Sequence, residues 1–258
     1  MIFPMDATTP EILIANDPSA LAEIAAQEVL EIALAAVGAR GRFTVALAGG
    51  STPRATYERL ARPPLSARMP WDRTVVFFGD ERGVPADHAD SNYGMAHRAL
   101  LSRVPIPPDR VFRIPGEGAD PEGVAAEYAR RLSEVLGVRR GEMPRLDLIL
   151  LGLGVDGHTA SLFPGSPVLK ETFRTVAAVH AAAASIPQRF TLTYPILNAA
   201  ACVIYLVAGA EKAKVVKAAL GDRSSGLPAA MVRPADGRLL WIIDRAAASL
   251  LPSSRRTS

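Results

Sequence analysis

Most features that would place this chain in a specialised class are missing. Cysteine occurs once in 258 residues, so no internal disulfide can form. Cys202, set in the apolar run 199–207, reads as a small core hydrophobe, and nothing points to an oxidising compartment. Aromatics make up only 6 % of the chain, and the 29 basic and 26 acidic residues are interspersed without a block of like charge. The net charge of +3 is weak support for an anionic ligand and none for nucleic acid, which calls for a basic stripe with interleaved aromatics. No uncharged apolar run reaches the ~18 residues of a membrane span. Residues 1–10 lack the basic and apolar parts of a signal peptide. The chain also has no G-x-S-x-G, no H-E-x-x-H, no C-x-x-C and no Gly-Lys-Ser/Thr after a glycine loop. These absences give the expectation of a cytoplasmic protein with neither a membrane nor a nucleic-acid partner.

What is present suits an α/β enzyme. At 49 % hydrophobic the chain can bury a sizeable core, and with no repeat and no long linker it reads as one domain, residues 1–258, with flexible ends. Short apolar runs at 43–48, 74–78, 146–151, 203–207 and 239–243 are candidate strands, several apolar on both faces as in a covered parallel sheet. Alanine-rich amphipathic runs lie between them. Asp17-Pro18 opens a helix closed by Gly38, Thr52-Pro53 opens another, and Asp120-Pro121 opens one closed by Gly137. The proline- and arginine-rich stretches 61–70 and 104–121 read as surface connections. The alternation predicts an α/β fold.

Three segments carry chemistry, each at the carboxyl end of a candidate strand, where α/β folds bind ligands. In LDLILLGLGVDGHTASLFP, residues 146–164, Asp156 and His158 stand two apart in a glycine-rich loop, and the backbone N–H groups from Gly154 to Gly157 are candidates for holding an oxyanion. In VALAGGSTPRATY, residues 45–57, Gly49 and Gly50 let the backbone approach a ligand, Ser51 and Thr52 add hydroxyls, and Pro53 fixes a helix start whose free N–H groups suit phosphate. Arg54 in the first turn opposes the helix dipole unless an anion lies close. The plainer reading of this segment is an ordinary turn capped by Thr52. In VVFFGDERGVPADHADSNY, residues 75–93, Asp80, Glu81 and Arg82 follow a strand, Ser91 looks like a helix cap and Asn92 lies just inside the helix. A lone Asp-Glu-Arg triplet is more often a solvated loop.

Other patterns lead nowhere. Gly152, Gly154 and Gly157 match G-x-G-x-x-G, but Pro164, Gly165 and Pro167 interrupt the helix it needs, and Val176 stands where an acidic ribose ligand belongs. Asp87, His88 and Asp90 superficially resemble metal ligands and read as a solvated loop. His97 and His180 fall in structural patterns, which leaves His158 as the functional histidine.

Taken together, AGGSTPRATY, FFGDERGVPADHADSNYG, LILLGLGVDGHTASLFPGSP, PQRFTLTYPILNAA and VAGAEKAKVV, in that order, resemble the 6-phosphogluconolactonase family over nearly the whole chain. The resemblance implies a fold like the sugar-phosphate isomerases and deaminases, a modified doubly wound, Rossmann-like α/β fold with a mostly parallel sheet flanked by helices. It also implies hydrolysis of 6-phospho-D-glucono-1,5-lactone to 6-phosphogluconate in the oxidative pentose phosphate pathway, with no cofactor and no metal. Residue by residue it implies a phosphate loop at Gly49, Gly50, Ser51 and Thr52, further substrate contacts at Asp80, Asn92 and Gly154, and catalytic roles for Arg82, Asp156 and His158. Lys212, in Gly209 to Lys212, would meet the phosphate as a point charge, and Arg189 would either hold an anion or brace its loop. A δ-lactone needs positioning, an activated water and oxyanion stabilisation, which a neutral imidazole and an arginine can supply without a covalent nucleophile. The implied partner is a small sugar-phosphate lactone; the sequence does not give the oligomeric state, which stays open between a monomer and a weak dimer. Two alternatives remain in view. Glucosamine-6-phosphate deaminases share the phosphate and D-G-H loops but carry a glutamate where this chain has Phe163, and a non-catalytic sugar-phosphate binding protein could dispense with His158.

Overall fold

Among the described residues, runs too short for helices, most of them apolar and β-branched, form nine strands: β1 (Glu11–Ala15), β2 (Phe43–Leu47), β3 (Thr74–Phe78), β4 (Asp80–Arg82), β5 (Leu148–Leu151), β6 (Val176–His180), β7 (Gln188–Leu192), β8 (Cys202–Val207) and β9 (Arg238–Asp244). The computed structural model describes residues 9–139, 141–182, 184–221 and 225–252. The expectations about the extreme ends fall mainly outside these described residues. Among these described residues seven α-helices connect the strands: α1 (Pro18–Arg40), α2 (Ser51–Leu60), α3 (Leu65–Arg68), α4 (Asn92–Ala99), α5 (Pro121–Leu136), α6 (Tyr194–Ala199) and α7 (Ala213–Leu220).

Six strands make one sheet in the order β1-β9-β8-β5-β2-β3, every neighbouring pair parallel. The remaining three form a small antiparallel sheet, β4-β7-β6. From β2 the chain moves outward to β3, whereas from β5 it moves the opposite way to β8 and β9. The gap between the carboxyl ends of β2 and β5 is therefore a topological switch point, the place where such sheets open a crevice. Strands β2, β3, β5 and β8 are buried along their whole length, and Tyr205 stacks on Trp241 across β8 and β9 with ring centroids 4.1 Å apart. Truncating one of these large buried side chains to alanine costs roughly 2–5 kcal/mol. Cys202 is buried in β8, and burial pushes its thiol up to about 12.

Several local expectations need correction. Helix α1 runs past Gly38 to Arg40 and ends at Gly41, whose left-handed backbone (φ 70°) lets its N–H reach the Val37 carbonyl. Gly38 has no such conformation and sits on an exposed turn of the helix. Helix α2 starts at Ser51, with Gly50 rather than Thr52 in the capping position, at φ 103° and without any side-chain cap. Strand β5 begins at Leu148, because the Asp147 carboxylate takes both the N–H (2.7 Å) and the hydroxyl (2.8 Å) of Thr44. The Asp-Glu-Arg triplet is strand β4, not a solvated loop, and Asp80 and Glu81 are buried. Helix α5 opens at Pro121 and is closed by Gly137, as its sequence predicts.

Candidate active site

A cleft of about 350 Å³ opens at the switch point. Its walls come from the ends of four parallel strands: Ala48 to Pro53 after β2, Gly79, Asp80 and Arg82 after β3, Leu150 to Gly154 with His158 and Ala160 at β5, and Leu206 to Ala208 with Glu211 and Lys212 at β8. Asn92, at the start of α4, completes the wall. The three segments singled out in the sequence thus meet in one place.

The floor of the cleft is the start of α2. Gly50 turns the chain, no side chain caps the helix, and Pro53 has no N–H, so the N–H groups of Ser51 and Thr52 face the cleft end without an intrahelical partner. The hydroxyl of Tyr57, one turn on, donates to the carbonyl of Ala48 and accepts its N–H, both at 2.9 Å, and so locks helix to strand. Arg54 does not report an anion: its Nε bonds Glu58 Oε1 at 2.9 Å, and that i,i+4 pair explains a cation at this position.

Gly49 is required by its neighbour. A methyl group there would lie 1.8 Å from Asn92 Oδ1. The Asn92 amide in turn donates to the carbonyl (2.9 Å) and the carboxylate (3.0 Å) of Asp80, whose second oxygen accepts the Ser161 hydroxyl at 2.8 Å. Asp80 and Asn92 line the cleft, but the bonds they make bracket one loop to another. Glu81 caps the same region from below. Its buried carboxylate accepts the N–H groups of Asn92 and Tyr93 and the hydroxyl of Ser91, and burial, the largest influence, holds its carboxyl above the usual range despite those bonds.

The loop that carries Asp156 and His158 is equally constrained. His158 Nδ1 lies 2.6 Å from Asp156 Oδ1. Burial raises the Asp156 carboxyl, but the charge of His158 and the hydrogen bonds from it outweigh that, and the group ends below the ordinary carboxylate range. Gly154 makes room for the pair, since a methyl group there would meet His158 Nδ1 at 2.1 Å. The expectation that Gly154 to Gly157 offer free N–H groups to an oxyanion is not met in full. The Gly154 N–H bonds the His158 carbonyl, the Gly157 N–H bonds the Gly154 carbonyl, and the His158 N–H bonds Asp156.

Among the cations, Arg82 lines the cleft with one guanidinium nitrogen on the carbonyl of Asp90, while its buried Nε has no acceptor among the described residues. Lys212 ends the 3-10 turn Ala210–Lys212 and occupies the N-cap position of α7, at a helix start as its segment implies, and its ammonium donates to the Leu153 carbonyl at 2.8 Å. Arg189 does not line the cleft: its Nε braces the Ile186 carbonyl at 2.7 Å, and burial, then the adjacent charge of Arg82 opposite it in the β4–β7 ladder, lowers its pKa. His97 and His180 are exposed and lie elsewhere. No cluster of three or more histidine, cysteine or carboxylate side chains able to hold a metal ion occurs among the described residues.

Residues beyond those expected also matter. Glu211 lines the cleft beside Lys212, and Asp244, at the end of β9, accepts the Gly209 N–H on both carboxylate oxygens at 3.1 Å. A polar residue ending the apolar run of β9 was the available signal for Asp244. Ser161 carried none.

Residues 16–241 match the family described as glucosamine-6-phosphate isomerases/6-phosphogluconolactonase. The chain is 43 % identical to the 6-phosphogluconolactonase of Rattus norvegicus over 255 residues, 96 % of each chain. The solved structure of 6-phosphogluconolactonase from Trypanosoma brucei superposes with a TM-score of 0.83 at 35 % identity, covering 96 % of this chain and all of that one. A monomeric glucosamine-6-phosphate deaminase is similar at a TM-score of 0.76 and 25 % identity, over 93 % of this chain and 99 % of that one.

Proposed function

The chain belongs to the glucosamine-6-phosphate isomerase/6-phosphogluconolactonase family, and from that premise we infer a lactonase that hydrolyses 6-phospho-D-glucono-1,5-lactone to 6-phosphogluconate in the pentose phosphate pathway. The observation that carries the mechanism is the Asp156–His158 pair standing across one cleft from the uncapped start of α2. With Nδ1 engaged by Asp156, Nε2 is the nitrogen left to take a proton from a water in the cleft.

The substrate phosphate sits on the Ser51 and Thr52 N–H groups and pairs with the Lys212 ammonium, which fixes the lactone carbonyl near the imidazole. Water attacks the carbonyl carbon as His158 removes its proton, and the developing oxyanion is met by Arg82, which lines the cleft. The intermediate collapses by breaking the ring C–O bond, and the imidazolium returns the proton to the departing ring oxygen. Asp156 acts through His158, holding its tautomer and supporting its charge. Asp80, Asn92 and Gly154 keep these parts in register. At the position where a deaminase has an ionisable glutamate, this chain has Phe163, packed on His158. No helix among the described residues is long and apolar enough to cross a membrane, and we read the reaction as cytoplasmic.

Acid release from freshly generated 6-phosphogluconolactone tests the function. A rate in excess of spontaneous ring opening is expected, and a rate equal to that background overturns the assignment.

A further inference from the structure

Just beyond the catalytic histidine the chain makes a tight turn. Thr159 and Leu162 pair across it, the Leu162 N–H donating to the Thr159 carbonyl at 2.9 Å, and Ala160 adopts a left-handed φ of 47° to close it. The residues flanking that turn, His158 and Phe163, are thereby brought side by side. Their ring centroids are 4.6 Å apart and their planes inclined by 39°.

The turn is pinned at several points. The Thr159 hydroxyl donates to the Gly152 carbonyl at 2.9 Å, Ser161 donates to Asp80 through its hydroxyl and to the Thr191 hydroxyl through its N–H at 3.1 Å, and Leu162 is wholly buried. Phe163 is therefore carried on fixed backbone, with its ring against the imidazole. The hydrogen bond to Asp156 holds one atom of the imidazole, and a ring held at one atom can still swing about it. A second contact is needed to set its plane.

We propose that Phe163 is a positioning residue for the hydrolysis: its ring sets the plane of the His158 imidazole and its π face supports the positive charge that imidazole gains on taking the proton of water. This rests on the reading of His158 as the base. The physical grounds are that an aromatic face carries negative quadrupolar charge, which favours a cation over it, and that offset aromatic contacts have preferred geometries that restrain both partners. The benefit arises in the step that creates the imidazolium, so it belongs to turnover and not to binding.

The test is steady-state kinetics on F163L, F163M and F163Y, with H158N in parallel and thermal unfolding of each. F163L is expected to lose about 3- to 10-fold in kcat, the scale of one aromatic contact, with KM changed by less than about 2-fold, and F163Y, which keeps the ring, is expected to recover most of the loss. F163M keeps the length without the ring and takes the place of F163L should the latter not fold. A kcat for the ring-less variant within about 2-fold of the wild type, a loss expressed mainly in KM, or no recovery in F163Y overturns the proposal. If H158N itself turns over normally, the reading of the base fails first. If H158N is inactive while F163L equals the wild type, only the role of Phe163 falls.

Discussion

Ser161 gives its hydroxyl to Asp80 across 2.8 Å of buried space, and through that bond the turn that follows His158 is tied to strand β4. Removing the donor leaves a buried carboxylate oxygen short of a partner, which typically costs ~1–3 kcal/mol. S161A should therefore unfold at lower denaturant by that amount and lose turnover, because the turn carrying His158 loosens. Chemical denaturation checks this, and a stability within about 0.5 kcal/mol of the wild type would contradict the tie.

Loss of the base should be far more severe than loss of its support. H158N is expected to keep the fold and substrate affinity while kcat falls by roughly two to four orders of magnitude. D156N should fall less, since the imidazole can still accept a proton without its neighbour. Equal losses in the two variants would indicate that Asp156 activates water directly.

The pH dependence follows from the same pair. Neutral imidazole is the form that accepts a proton, so kcat/KM should fall on the acid side as that form is lost. Asp156, held below the ordinary carboxylate range, stays ionised through that fall. Its contribution to folding is present above the unfolded carboxyl value of ~4 and is lost only as pH falls through its depressed folded value. The acid limb should thus have a slope of one. A slope of two, or a second inflection between pH 4 and 6, is the outcome that sinks this assignment.

Lys212 should decide discrimination and not chemistry. Removing a charge-assisted contact to phosphate costs ~1.5–3 kcal/mol, so K212A should raise KM for the phosphorylated lactone by about 10- to 150-fold and leave unphosphorylated gluconolactone almost unaffected. Equal losses on both substrates would show that the ammonium serves the loop it bonds at Leu153 rather than the phosphate.

Two neighbouring glycines should behave differently. A methyl group on Gly154 collides with His158 Nδ1 at 2.1 Å and with Asp156 Oδ1 at 2.5 Å, whereas one on Gly152 meets nothing closer than the Gly49 carbonyl at 3.9 Å. G154A should displace the imidazole and abolish most activity. G152A should retain most of it. Comparable activities would mean that the loop relaxes around the added methyl.

The strand-end motifs were legible because each combines an apolar run with residues of unusual backbone freedom or chemistry, and the local sequence contains both. The boundary at Gly41 was less so: Gly38 and Gly41 are equally good helix terminators in sequence, and what distinguishes them is which one can turn left-handed once α1 has packed. Strands β1, β4, β6 and β7 escaped notice for a different reason. Each is at most five residues long, and β1 and β4 find their partners far along the chain, as when Glu81 faces Phe190, whereas β6 pairs with the nearby β7. Asp80 and Arg189 show the same limit at the site, since only the assembled fold reveals that one is committed to Asn92 and Ser161 and the other to the Ile186 carbonyl.

The strand order has a consequence for how activity is gained. The cleft needs the ends of β2, β3, β5 and β8 side by side, and parallel neighbours cannot pair until the long connections between them have closed. Helices α1 and α5, stabilised by contacts near in sequence, can form before that. On refolding, helical signal should return first and turnover last, so that the enzyme's own reaction reports the moment at which its central sheet is complete.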